Sequence, residues 1–182
     1  MRKMNRKILA VALALVAASA STGFLFYGPA YAKLGVVDPP PQPYDPSISA
    51  IIVKFTRIEV HVANASEQSG WHTLSTGGTV NLLSVLNVQQ VLGTSSVPAG
   101  KYTEIRFFAS QAIITINGTP VTYSIPGGNQ TGFKIAITGG GGFQVLGGQT
   151  VNVQLDLAFR NSEIMNNPQH ILTPVATAKV VQ

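Results

Sequence analysis

Few residues in this chain are equipped for chemistry. There is no cysteine, which excludes a thiolate nucleophile, a disulfide framework, a cysteine-ligated metal cluster and a c-type haem. The three histidines are His61, His72 and His170. None has a second histidine at ligand spacing, and neither His-Glu-x-x-His nor Gly-x-Ser-x-Gly occurs. His61 and His72 flank a predicted turn, but a zinc site takes about four ligands, so surface histidines are expected. Glycoside hydrolysis needs two facing carboxylates in a cleft. Past position 46 the acids are Glu59, Glu67, Glu104, Asp156 and Glu163. Glu104 and Arg106 alternate onto one face of a predicted strand and can pair along it. Asp156 is expected to join them through Arg106 or Arg57, giving an ion-pair cluster on a solvent face. Asp38 and Asp45 bracket a proline run, but calcium takes roughly six to eight oxygen ligands. The glycines at 139–142 are followed by no Gly-Lys-Ser/Thr, so they read as a loop tip rather than a phosphate cradle. The expectation is a protein that is not an enzyme and holds no cofactor and no metal.

Residues suited to contact are more frequent. Three Asn-x-Ser/Thr triplets, at Asn64, Asn117 and Asn129, are candidate glycosylation acceptors. Trp71 and Tyr123 are the rings considered as stacking platforms for a glycan, while Tyr102, Phe107, Phe108 and Phe133 read as core.

The formal charge of +5 comes largely from the first seven positions, where Arg2, Lys3, Arg6 and Lys7 lie. From Lys33 onward eight basic residues face seven acidic ones. The downstream chain therefore has no basic face for nucleic acid. After the basic cluster, Ile8 to Tyr27 is uncharged. This is the layout of a secretory signal, with small-x-small cleavage sites at Ala18-Ser19-Ala20 and Ala30-Tyr31-Ala32. The same segment is long enough to remain as a membrane anchor, a hydrophobic helix with the domain facing out. Residues 1–32 are accordingly read as signal peptide or anchor, and the rest as extracytoplasmic: cell surface, secreted or anchored.

Residues 33–47 read as a proline-rich linker that can also hold Leu34–Val37 as a detachable edge strand. Residues 48–182 read as a β-domain. Ile48–Val62 buries odd positions to Phe55 and even positions from Ile58, which predicts a bulge near Thr56–Arg57. Short strands are expected over 70–74 and 79–83, and a short helix within Leu82–Leu92. Val97–Gly100 is a turn launching Lys101–Ala109. Ala112–Ile116 and Thr119–Ile125 form a hairpin about Asn117-Gly118, a pair suited to a type I′ turn. Strands follow over 132–138, 143–146, 150–159 and 170–181, with Pro174 favouring an edge or bulge in the last. The spacing is that of an all-β antiparallel sandwich, Greek-key and immunoglobulin- or prealbumin-like.

The ordered pieces carry a family likeness. They are Val37-Asp38-Pro39, Ile52–Val60, Gly70-Trp71, Val80–Leu83, Leu92-Gly93 and, most specific, Val97–Arg106. Ser124-Ile-Pro126, Gly132–Lys134, Leu155-Asp156 and Ile171–Val175 follow. Together they resemble domain of unknown function 4382, a family of exported bacterial and archaeal β-proteins. The resemblance implies a surface-exposed β-sandwich and no reaction. The chain departs from the family at Asn81, where an aspartate is usual, and after Asp156, where a second carboxylate is missing. The expected function is that of a non-enzymatic surface protein working by contact, in adhesion, envelope or filament, with protein partners or self-assembly through sheet edges. In the filament form, Ser21–Val37 leaves its own domain and adds to a neighbour. The alternatives are an anchored accessory subunit of a membrane complex and a carbohydrate-binding module.

Overall fold

The computed structural model describes residues 28–37, 43–86 and 89–181. The hydrophobic segment expected as a helix, and Asp38, lie outside these. Among the described residues eleven strands follow in order: β1 (Ala30–Val37), β2 (Ile48–Val62), β3 (Trp71–Ser75), β4 (Gly78–Asn81), β5 (Gln90–Val97), β6 (Gly100–Ile116), β7 (Thr119–Ser124), β8 (Phe133–Ile137), β9 (Phe143–Val145), β10 (Thr150–Ala158) and β11 (Val175–Val181). A 3₁₀ turn, Leu82–Val85, precedes β5, and a short helix α1, Asn161–Met165, follows β10.

The all-β expectation holds, but the layers are joined. One sheet runs β3-β2-β6-β8-β11-β10-β1-β5 and nearly closes into a barrel. β8 is the splice, pairing β6 on one side and β11 on the other. The sheet is also mixed: β1 runs parallel to β10, and β11 parallel to β8. Closure falls between β3 and β5. There Ser75 Oγ donates to the Leu92 carbonyl at 3.0 Å. A Cβ on Gly93 would stand 2.6 Å from the Leu74 carbonyl oxygen, so only glycine permits this approach.

β2 and β6 form the long spine. The predicted bulge in β2 is present, with the register shifting between Phe55 and Arg57. Ile51, Val53 and Phe55 on one side of it, and Ile58 and Val60 on the other, all reach the core. β6 joins two strands read separately and shifts phase between Ala109 and Gln111 opposite Phe55–Lys54. The β6–β7 hairpin turns at Asn117 (φ 48) and Gly118 (φ 78), the left-handed pair a type I′ turn requires. In β10, Val153, Leu155 and Leu157 are buried, as the alternation predicts.

β1 departs most from expectation. Leu34–Val37 is not an edge strand but part of an interior one. β1 pairs β10 from Tyr31↔Thr150 to Val37↔Asp156, and β5 from Ala30↔Val97 to Val36↔Gln90. The reason is β5, which covers the far side; it takes only the last residues of the stretch expected as a short helix, whose start holds the 3₁₀ turn. The buried face of β1 is Ala30, Ala32, Leu34 and Val36. β11 likewise lies between β10 and β8, with Pro174 just ahead of it where no ladder donor is lost.

Filling the barrel from β1 has a measurable consequence. Leu34 is fully buried, so Leu34→Ala should lower unfolding free energy by ~2–5 kcal/mol in urea titrations. Exposed Lys33→Ala should change it by less than ~0.5 kcal/mol. Equal effects would contradict the inward placement of Leu34.

Candidate functional site

The sheet builds two distinctive places. The first is the slot that holds β1. With Ala30, Ala32, Leu34 and Val36 inward, Tyr31 and Lys33 face out. Backbone bonds fix the entry of the strand. Tyr31 N–H donates to the Gln149 carbonyl at 2.9 Å, and Gly148 N–H reaches the Gly28 and Pro29 carbonyls. At the far end, Asp45 Oδ1 accepts from Ser47 N–H at 2.9 Å, and Tyr44 Oη accepts from Phe159 N–H at 3.3 Å. The tether 38–47 is thus anchored at its second half where it enters β2.

The second place is the outer face of β2, β6 and β8. Glu104 accepts from Arg106 Nε at 2.8 Å and from Lys134 Nζ at 2.5 Å. Arg57 Nε meets Glu59 at 2.9 Å. Each arginine also caps a ring, Arg57 over Phe108 at 3.5 Å and Arg106 over Trp71 at 4.4 Å. The expected Glu104–Arg106 pair is therefore present, with Lys134 as the partner that sequence spacing did not supply. Lys134 comes from β8, whose register against β6 sets it opposite Arg106.

Asp156 does not join the cluster. It lies on β10, opposite Val37 and Thr177, and β11 and β8 separate it from β6. Partial burial pushes its carboxyl above the ordinary carboxylate value, and the charge of Lys179 partly offsets this. For Glu104, burial acts upward, but the hydrogen bonds and charges of Lys134 and Arg106 outweigh it and hold the group below its ordinary value.

The histidines separate as well. His61 stands opposite Trp71, and His72 opposite buried Val60, so the two project to opposite faces of the sheet. The His61 Nε2–H lies between the Ser66 and Ser69 carbonyls, and its ring packs on Trp71 at 4.7 Å. His72 meets Tyr102 edge-on. Among the described residues no group of three or more His, Asp or Glu can hold a metal ion. His170 packs on Tyr123 beside a groove of about 680 Å³ between β7 and α1. Tyr123 is only 2% exposed and its hydroxyl donates to the Ile164 carbonyl, so it is no surface platform. Trp71 is half-buried, with Nε1–H donating to the Glu67 carbonyl.

The three candidate acceptor asparagines are all exposed. Asn64 and Asn117 mark opposite ends of the β2–β6 pair, and Asn129 lies in the β7–β8 loop. Asn81, one of the departures from the family pattern, has a structural role. Its Oδ1 accepts from Ile51 N–H at 3.1 Å and Leu83 N–H at 3.2 Å, tying the 3₁₀ turn to β2. The signal for it was an Asn ahead of an apolar run, the signature of a helix cap.

This geometry defines an all-β, nearly closed barrel whose N-terminal strand is embedded in the sheet. The chain belongs to the family described as Domain of unknown function (DUF4382), which matches residues 30–174. The match begins at the first residue of β1. Neither the curated proteins nor the solved structures give a match to the chain.

The two carboxylates have opposite signatures. Glu104→Gln should cost about 1 kcal/mol at neutral pH. A depressed folded-state pKa contributes stability above the unfolded value and loses it as pH falls through the folded one. The difference between wild type and variant should therefore shrink in urea titrations taken below about pH 4. A raised pKa has the reverse sign, so Asp156→Asn should leave neutral-pH stability unchanged or higher. A large loss on Asp156→Asn would show a partner that the barrel geometry does not provide.

Proposed function

We propose that this protein is a non-enzymatic, extracytoplasmic surface protein that acts by contact, and that β1 is the element of contact, exchanged between copies. The observation that carries this reading is the embedding of β1. It is the first strand among the described residues, it precedes β2 through 38–47, and it is paired along both edges. A second copy's β1 placed in the same slot would make the same hydrogen bonds and bury the same side chains. The balance between cis and trans then rests on the tether and on local concentration. A short tether gives an effective concentration on the order of millimolar, a level that crowding on a cell surface can rival. Strand exchange of this kind turns a monomer into dimers or, where each copy donates onward, into filaments.

Three sequence features support the surface part of the reading: the basic-then-apolar N-terminus, the three exposed sequons and the sparse charge of the barrel. Among the described residues no helix is long and apolar enough to cross a membrane. The segment Ile8–Tyr27, which would anchor or export the chain, lies outside them.

Tether length gives the test. Deleting residues 39–42 should hinder closure of β1 onto its own barrel and raise the oligomer fraction in sedimentation velocity. Inserting roughly ten flexible Gly-Ser residues after Gln42 should move it far less, because effective concentration falls only slowly once the tether spans the gap. Oligomerisation that the deletion leaves unchanged would refute exchange through β1. Protease treatment of intact source cells should degrade the protein; full protection would refute the surface location.

A further inference from the structure

We infer that the mature chain begins at or before Gly28, and that Ala30-Tyr31-Ala32 is barrel packing rather than a processing site. The triplet fits the small-x-small rule of signal cleavage, and sequence alone ranks it with Ala18-Ser19-Ala20. In the fold its spacing has a different origin. A strand of period two sends Ala30 and Ala32 to one face and Tyr31 to the other. That face is the barrel interior, where Ala30 is 3% and Ala32 0% exposed, while Tyr31 is 39% exposed. Small residues stand there because the interior is full.

Cutting after Ala32 would remove the pairs Ala30↔Val97, Tyr31↔Ser96 and Ala32↔Ser95 with β5. It would also remove Tyr31↔Thr150 and Ala32↔Val151 with β10. The bonds from Gly148 N–H to Gly28 and Pro29, and from Tyr31 N–H to Gln149, would go as well. What remained of β1 would begin at Lys33 with a new charged amine at the mouth of the barrel. The family match begins at residue 30, so it spans the triplet. Ala18-Ser19-Ala20 lies ten residues before Ala30 by number and is left as the triplet a signal peptidase can use. The inference holds whether or not β1 is exchanged between copies, since either arrangement needs the whole strand.

The test is the first residue of the native protein, by intact mass and N-terminal sequencing of material from its source cells. A chain starting at Ser21, or one keeping its hydrophobic segment, is the expected result. Any first residue after Gly28 overturns the inference. A second measurement separates packing from processing. Ala32→Val in the full chain should leave the first residue unchanged and lower the thermal midpoint by a few degrees, because it overfills the core. Accumulation of precursor with an unchanged midpoint would overturn the assignment.

Discussion

The fold depends on one insertion: β1 between β10 and β5. Among the described residues β5 pairs with β1 and no other strand, and its other side meets β3 at the Ser75 and Gly93 seam, so without β1 it loses its ladder. The barrel would then gape between β10 and β3. Two requirements coincide in these residues. The backbone must satisfy donors and acceptors on both edges, and Ala30, Ala32, Leu34 and Val36 must fill the interior without voids. A strand that meets both from the N-terminal side of a proline-rich tether is structurally central yet attached to the body by one connection.

The outer surface follows a different logic. The chain is charge-poor, and its acids are handled locally. Glu104 sits between two cations, Glu59 takes Arg57, and Glu163 takes Arg160. Arg57 and Arg106 then lie over Phe108 and Trp71, which shields those rings from water. Such an arrangement stiffens a sheet face and spends its carboxylates on neighbouring cations. Asp156, raised by burial against the opposing charge of Lys179, sits next to the end of β1. Its place opposite Val37 makes it a neighbour of β1 rather than a member of the charged cluster.

Local pattern made much of this legible. The phase change in β2 located its bulge, because a flipped buried face has no other cheap explanation. Asn117-Gly118 located the hairpin through its left-handed dihedrals, and the alternation in β10 identified its buried side. The misreadings have separate local causes. β5 holds Gly93 and a run of Thr and Ser, and it alternates poorly since one flank faces the seam; its apolar residues drifted into helical spacing with the preceding turn. The first half of β1 was hidden because its inward Ala30 and Ala32 also fit the small-x-small pattern of a cleavage site. The parallel pairings and the near-closure are properties of strands distant in sequence, which no local period encodes. The same holds for the site: Glu104–Arg106 is a neighbour relation along one strand, whereas Lys134 and the isolation of Asp156 are consequences of sheet order.

The most direct measurement is a cross-link between two separately labelled copies. Lys33 on β1 and Thr94 on β5 face each other across an antiparallel pair and are both exposed. Opposed positions of this kind place Cα atoms about 4.5–5.5 Å apart, within the Cα range a disulfide bridges, and the chain has no cysteine to interfere. Chains carrying only Lys33→Cys and chains carrying only Thr94→Cys would be mixed at high concentration, allowed to re-equilibrate and oxidised. Exchange of β1 predicts a disulfide between the two kinds of chain, absent when the mixture is kept dilute. A double variant that closes its own bridge readily, while the mixed single variants never link, would show that β1 stays in its own barrel and would contradict the account.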